Sequence, residues 1–294
     1  MHLKKAISAL LALLMGLLSG CGKKEADKSV SSSDKTTSTV SSEKITNGVV
    51  ITALNVGKAD CFVIQSKKSV TMIDTGTEES AKTIEKFLDD SGITRIDLLF
   101  ISHYDKDHVG GADHIIRHYE VGQVYATYYV AKESDDIDEY NEALKMKGLS
   151  PVLVSKEMSV SADGVTWTLY PPQKDDYKKD ISNNSSMAAR MRYGKVAALF
   201  TGDAQKARIS ELVKTEGLQS SIIKMPHHGE YEKNIDELLE WVQPQYAILT
   251  GSKSQPEDDK TMEVLEQYGV EAYCTRNGTI TMRTDGKSVT VTQG

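Results

Sequence analysis

From Gly48 onward, short apolar runs alternate with amphipathic stretches. Val49–Val56, Cys61–Gln65 and Val70–Ile73 read as three strands, separated by turns at Gly57 and Lys67-Lys68. Glu78–Asp90 places Ala81, Ile84 and Leu88 on one helical face. Ile96–Ile101 (IDLLFI) predicts a buried strand, then a polar loop, then a short helix over Ala112–Tyr119. Val121–Tyr129 continues as strand and Asp135–Lys147 as helix, ended by Gly148. Val152–Val154 and Val165–Tyr170 are strands, and residues 171–185 form a polar loop. The pattern then resumes with a hairpin, Met187–Tyr193 and Val196–Thr201, turning at Gly194-Lys195. Helix Ala204–Glu216, strand Ser221–Lys224, helix Ile235–Val242, strand Tyr246–Thr250 and helix Met262–Tyr268 follow. Val270–Thr275, Thr279–Thr284 and Ser288–Thr292 close the chain as strands. Two groups of strands, each interleaved with helices, predict two packed sheets with helices on the outer faces.

The first 47 residues do not share this pattern. Residues 1–21 begin with Lys4 and Lys5, continue through the apolar stretch Ala6–Leu18 and end in LSGC. That stretch is too short for an ordinary membrane span and reads as a targeting segment. LSGC resembles a bacterial lipobox, which implies lipidation at Cys21 and an extracytoplasmic, membrane-anchored protein. Residues 22–47 are rich in Ser, Thr and Lys without a core pattern and read as a flexible tether to a folded domain over 48–294.

Composition narrows the classes of function. A chain of 294 residues with 39% hydrophobic content buries a substantial core. Its net charge of −7 argues against coating long stretches of nucleic acid, which needs a positive surface, but not against a phosphate ester held by a metal. Beyond Cys21 only Cys61 and Cys274 remain, both in strand-like runs, which reads either as a disulfide or as two buried thiols.

The chemistry concentrates in three clusters. In SHYDKDHVGG, after the strand at Ile96–Ile101, His103 and Asp105 are two apart and share one side of an extended segment. Asp107 and His108 are adjacent and need a bend to converge, which Gly110 and Gly111 make easier to accommodate. Imidazole with carboxylate suits zinc, manganese or iron better than calcium. The same residues also read as a polar loop with Asp107 as a helix N-cap. Asp203 follows the apolar run VAALFTG, and His227-His228 follow the strand at Ser221–Lys224. Four of the seven histidines thus fall at strand ends beside carboxylates. Lys224 reads either as an extra positive charge at the site or as an exposed lysine at a strand edge.

In order and spacing these clusters resemble the metallo-β-lactamase fold superfamily, and within it the extracellular hydrolase domain of ComEC-type DNA-uptake proteins and their stand-alone relatives. The resemblance covers about residues 48–284 and rests on LNVGKADCFVIQ, MIDTG, SHYDKDHVGG, the stretch ending in FTGD, IIKMPHHG and YCTRNGTI. It implies a four-layer αββα sandwich with one or two divalent cations, zinc or manganese, at one rim of the sheets. It also implies ligation by His103 and Asp105 at one position and by Asp107, His108 and His228 at the other, with Asp203 bridging. His227 would then orient substrate. Asp74 would support the metal loop, as would Asn184 and Lys224 at greater remove. The chain departs from the superfamily in having Asp105 for the second histidine of H-x-H-x-D-H, Asn183-Asn184-Ser185-Ser186 where a further histidine is usual, and Gln255-Pro256 for His-Pro.

The expected function is hydrolysis of phosphodiester-type bonds, with a small phosphoester or single-stranded nucleic acid as substrate and Asp107 positioning the attacking water. A lactamase or lactonase, and a lipid-anchored binding protein without turnover, are the alternatives. The anchor is directly testable: Cys21→Ala should lose lipid labelling and accumulate as unprocessed precursor. Equal labelling of both forms contradicts the lipobox. The tether reaches about 25–30 Å as a flexible coil, enough to clear the bilayer surface.

Overall fold

The computed structural model describes residues 45–130 and 133–294. Cys21, the targeting segment and nearly all of the tether lie outside the described residues. The chain begins with β1 (Val49–Ala53), β2 (Phe62–Gln65), β3 (Val70–Ile73), α1 (Ala81–Asp90) and β4 (Arg95–Ile101). It continues through α2 (Lys106–Val109), α3 (Ala112–His118), β5 (Glu120–Thr127), α4 (Asp135–Lys147) and β6 (Val152–Val154). The second group comprises β7 (Met158–Ala162), β8 (Val165–Tyr170), α5 (Ile181–Asn184), β9 (Ala188–Tyr193) and β10 (Val196–Phe200). Then come α6 (Lys206–Leu212), β11 (Ile222–Lys224), α7 (Ile235–Val242), β12 (Tyr246–Leu249), α8 (Asp259–Gln267) and β13 (Glu271–Cys274). The chain finally returns to the first sheet with β14 (Ile280–Thr284) and β15 (Val289–Gln293).

One sheet has eight strands in the order β15-β14-β1-β2-β3-β4-β5-β6, the other seven in the order β13-β12-β11-β10-β9-β8-β7. The hydrophobic register explains why they stack. On β4, Leu98 and Phe100 enter the cluster between the sheets, while Leu99 and Ile101 pack under the helices of the first sheet. On β10, Ala198 and Phe200 face the same inner cluster, while Leu199 meets the helices of the second. Strands covered on both faces read as continuous apolar runs. The inner cluster centres on Trp167, edge-on to Phe100 at 5.1 Å. The result is the expected αββα sandwich.

The parallel strands set the position of the site. β3 and β4 run parallel in one sheet, and β10, β11 and β12 in the other. The loops leaving their carboxyl ends carry Asp74, His103, Asp203, His227-His228 and Thr250 respectively, where such sheets commonly bind ligands.

Several local expectations differ. β7 was not evident from the sequence, because MSVSA pairs with β8 as a half-covered edge with no fully buried residue. The helix expected over 204–216 is confined to Lys206–Leu212. Thr215 N–H bonds Leu212 O at 2.9 Å as a tightened turn, and Thr215 O accepts the Trp241 indole N–H at 2.7 Å. Asp107 lies inside the one-turn helix α2 rather than at its cap. Gly110 and Gly111 adopt ordinary negative φ, so their role is not an unusual bend. A Cβ on Gly111 would stand 2.4 Å from Thr75 O, so that glycine lets the metal loop lie against the end of β3. Cys61 and Cys274 are buried free thiols that pack in different clusters. Among the described residues no helix is long and apolar enough to cross a membrane.

Phe100→Ala removes the ring that meets both Trp167 and Tyr125 between the sheets. It should cost about 3–5 kcal/mol in equilibrium urea unfolding.

Candidate metal centre

The site is built by anchoring one nitrogen of each imidazole. His108 Nδ1 donates to Asp74 Oδ2 at 2.8 Å. Ser102 Oγ also donates to Asp74 Oδ2, at 2.7 Å, and its N–H reaches Asp74 Oδ1 at 2.7 Å. With its own hydrogen committed there, Ser102 Oγ accepts from His103 Nδ1 at 3.1 Å. On the opposite sheet Thr250 Oγ1 donates to Asp60 Oδ1 at 2.6 Å and accepts from His228 Nδ1 at 2.9 Å. Each neutral imidazole therefore carries its hydrogen on Nδ1, held by a carboxylate at His108 and by a hydroxyl at His103 and His228, and turns the Nε2 lone pair inward as metal-binding histidines do.

The inward nitrogens meet carboxylates. His228 Nε2 lies 3.1 Å from both Asp107 Oδ2 and Asp203 Oδ2. His108 Nε2 lies 3.2 Å from Asp203 Oδ1 without the alignment of a hydrogen bond, and His103 Nε2 is buried with no hydrogen-bond partner. Donor atoms of Asp107, His108, Asp203 and His228 fall within 4.8 Å of one another. His103 lies beside this group, its ring centroid 4.1 Å from that of His108 and its Nε2 3.6 Å from Asp105 Oδ2. Ser182 Oγ bonds the other oxygen of Asp105. Two unpartnered, buried imidazole nitrogens aimed among carboxylates fit a divalent cation, and Asp203 meets both His108 and His228.

The carboxylates hold protons on His108 and His228. Burial opposes the charge on His108, but Asp203, Asp74 and Asp60 together hold it well above the ordinary imidazole range. His228 is likewise opposed by burial, yet Asp203, Asp107 and Asp60 push it up to about 10. Burial works against the Asp107 carboxylate, but the His228 hydrogen bond and the His108 charge bring it down to about 2.

His227 has a different environment. Its Nε2 is 3.3 Å from the Asn183 amide and 4.0 Å from Asp203 Oδ2. Its Nδ1 faces Glu230 Oε2 at 3.3 Å and the Gln205 amide at 3.1 Å. Burial outweighs these acids and lowers its pKa. Asn184 points elsewhere: its amide bonds Lys179 O and Asp180 O, and its Oδ1 accepts from Arg208 N–H at 2.9 Å. It therefore props up α6 rather than the histidines, and Asn183 is the residue of the pair that reaches one. Gln255 is exposed, its backbone paired with Ser252.

Lys224 is not an exposed edge lysine. β11 lies inside its sheet, and the ammonium is buried between Asp60 Oδ2 at 2.6 Å, Asp203 Oδ1 at 3.2 Å and Gly202 O at 2.9 Å. Asp60 itself was not singled out in the sequence. Its signal was a lone acid within the apolar stretch Ala59–Phe62, where only a paired carboxylate is tolerated. The backbone is strained at this rim: Asp74, His227 and His228 hold φ of 55°, 46° and 58°.

Comparison with known proteins follows from this geometry. Residues 54–251, more than half of the chain, match the Metallo-beta-lactamase superfamily. The chain belongs to that superfamily. As a superfamily member it is 25% identical over 207 residues to ComE operon protein 3 of Bacillus subtilis (strain 168), covering 69% of this chain and 26% of that protein. It is 27% identical over 208 residues to competence protein ComA of Neisseria gonorrhoeae, covering 69% and 27%. The chain thus spans about a quarter of the length of these curated relatives. Its fold is similar to that of CmlA, a diiron β-hydroxylase from Streptomyces venezuelae (TM-score 0.53, 15% identity, 82% of this chain and 55% of that one). It is also similar to the metallo-beta-lactamase fold protein YhfI from Bacillus subtilis (TM-score 0.53, 10% identity, 77% and 96%). Metallo-beta-lactamase superfamily members are mostly metallo-hydrolases.

Two expectations follow. Asp74→Asn replaces one of the two accepting oxygens by an NH2 donor, so it cannot accept from the Ser102 N–H as well as from Ser102 Oγ and His108 Nδ1, and metal affinity should fall about 10–100-fold in chelator competition. Because a cation must displace protons that the carboxylates hold on His108 and His228, binding should release protons and tighten as pH rises. The gain is about tenfold per pH unit for each proton displaced. Calorimetry in buffers of different ionisation enthalpy reads the proton count, and pH-independent binding without proton release contradicts the donor set.

Proposed function

We propose that this metallo-beta-lactamase superfamily protein is a metal-dependent hydrolase of phosphodiester-type bonds, acting outside the cytoplasmic membrane to which Cys21 tethers it. The observation that carries the reading is the set of inward Nε2 atoms of His103, His108 and His228, each with its Nδ1 side occupied and each close to a carboxylate or unpartnered. In this reading His103, Asp105, Asp107, His108, Asp203 and His228 hold one or two divalent cations, zinc or manganese. A divalent cation there polarises a phosphoryl oxygen and lowers the pKa of water toward neutrality.

The chain's own groups then divide the work. Asp107 is only partly buried, its side chain 25% exposed, and it orients the attacking water from the open side of the site. Asp203 and Lys224 sit behind, fully enclosed, and keep the charge of the site fixed. His227 presents Nε2 beside Asp203, held by Asn183, and hydrogen-bonds a substrate oxygen there. Asp105 in place of a second histidine makes the donor set richer in oxygen, which favours hard cations and makes manganese competent beside zinc. Cations held by such a donor set would suit phosphoryl oxygens, which are hard ligands. The similarity to competence protein ComA agrees with the resemblance to the hydrolase domain of DNA-uptake proteins, which supports a phosphodiester substrate.

The metal-loaded protein should hydrolyse a simple aryl phosphodiester, with manganese at least matching zinc and with little action on β-lactams. Its rate should rise with pH toward a plateau. Asp203→Ala should lose bound metal and at least about 100-fold of this activity while the circular dichroism spectrum persists. Turnover of β-lactams with no diesterase activity under either metal overturns the proposal, and stoichiometric metal without any turnover supports the binding protein instead.

A further inference from the structure

Beside the candidate metal centre lies a cavity of about 700 Å³ whose lining includes Lys174, Lys178, Lys179, Lys206 and Lys233. Its volume falls within the range of about 300–1,000 Å³ typical of cavities that enclose small ligands. It adjoins the site through three segments. Asn184 and Lys206 line it, while their neighbours Asn183 and Gln205 touch the His227 ring. Tyr231 and Glu232 line it as well, directly after Glu230, which faces His227 Nδ1.

The positive charges on this wall outnumber the negative ones, and none of the five lysines is closely paired. Among the described residues, lysine salt bridges within 4.0 Å form at Lys58, Lys86 and Lys224, not at these five. Three carboxylates, Asp176, Asp180 and Glu232, also line the cavity, which leaves the five lysines a formal excess of two positive charges, and Glu232 also accepts the backbone N–H of Lys206 at 3.1 Å. Lys174 lies over the Tyr177 ring at 5.3 Å, and Lys178, Lys179, Lys206 and Lys233 are exposed. Bringing five ammonium groups to one concave wall repels them from one another, in a chain whose net charge is −7. A ligand that offers them negative charge removes that repulsion.

We infer that this cavity is a substrate subsite that takes phosphate groups of an oligomeric phosphodiester beyond the linkage being cleaved. The inference rests on the phosphodiesterase reading and deepens it. A substrate with one phosphate occupies the metal centre alone, whereas a flexible single chain of phosphodiesters reaches from the metal centre, past His227, onto the lysines. Point-charge ammonium groups on flexible stems bind phosphates without reading sequence, so the subsite selects for chain length and charge.

The test uses the full chain and a fluorescent thymidine hexanucleotide. Fluorescence anisotropy is read in EDTA over a salt series, so that no hydrolysis takes place. The variant combines Lys178→Gln, Lys179→Gln and Lys206→Gln, and Lys67→Gln with Lys68→Gln on a distant exposed turn is the control. The subsite predicts at least about tenfold weaker binding by the triple variant at low salt. It also predicts a slope of log affinity against log salt that is shallower by about 2, since each phosphate contact on a single strand contributes roughly 0.7. The control should match the unsubstituted chain. With metal restored, the ratio of kcat/KM for the hexanucleotide to that for an aryl phosphodiester should fall about tenfold in the triple variant. Equal affinity and equal slope in the triple variant and the unsubstituted chain overturn the subsite even if the aryl diester is cleaved. Loss of binding in the triple variant alone upholds it even if nothing is hydrolysed, in which case only the catalytic reading fails.

Discussion

Two buried carboxylates govern the rest of this structure. Asp60 and Asp74 are almost fully enclosed, and neither lies on the open side of the site. An enclosed carboxylate without partners is costly enough to unfold its surroundings. Asp74 is satisfied by Ser102 and His108, and Asp60 by Thr250, Lys224 and the nearby His228 Nδ1 at 3.3 Å. Satisfying them simultaneously orients the imidazoles. The same hydrogen bonds that make burial tolerable hold Nδ1 of His103, His108 and His228 and turn Nε2 toward Asp105, Asp107 and Asp203. The geometry of the candidate metal site therefore follows from the hydrogen-bond demands of the residues behind it.

The sandwich supplies the rigidity this requires. Asp74 and Ser102-His103 leave adjacent parallel strands of one sheet, and Asp203, His228 and Thr250 leave three adjacent parallel strands of the other. Gly202 lets the two rims approach: at φ 53° a Cβ there would stand 2.9 Å from Ser186 Cβ and 3.1 Å from Ser102 Cβ. Left-handed backbone at Asp74, His227 and His228 costs of order 1–3 kcal/mol per residue and persists only where surrounding contacts determine it. Here those contacts are the buried hydrogen bonds of the site itself, so strain and satisfaction fall on the same residues.

Much of this was legible in the sequence for physical reasons. Strands covered on both faces must be apolar at every position, so IDLLFI and VAALF announced themselves. Their polar termini marked where chemistry begins. What escaped was whatever depends on partners distant in sequence. Asp60 is 164 positions from Lys224 and 190 from Thr250, as the numbering gives directly, and no local pattern announces such pairs. Lys224 read either as a charge at the site or as an exposed edge lysine, because a short strand does not reveal which strands flank it. The resemblance implied Asn184 as a support of the metal loop, yet its position in the short helix α5 turns its side chain to serve α6 instead. β7 was missed because an edge strand needs no buried face.

Charge illustrates the limit of reasoning from composition. A net charge of −7 spread over the whole molecule argues against a long polyanion. At physiological salt, however, exposed charges are largely screened beyond about 8 Å. A phosphate within that distance of Lys178, Lys179 and Lys206 responds to them and scarcely to acids on remote faces. The global sum still acts on a stiff duplex, which must lie across a broad surface, but much less on a flexible single chain that follows one wall. Net acidity and a basic cavity are therefore compatible, and together they favour short, flexible phosphodiesters over extended duplexes.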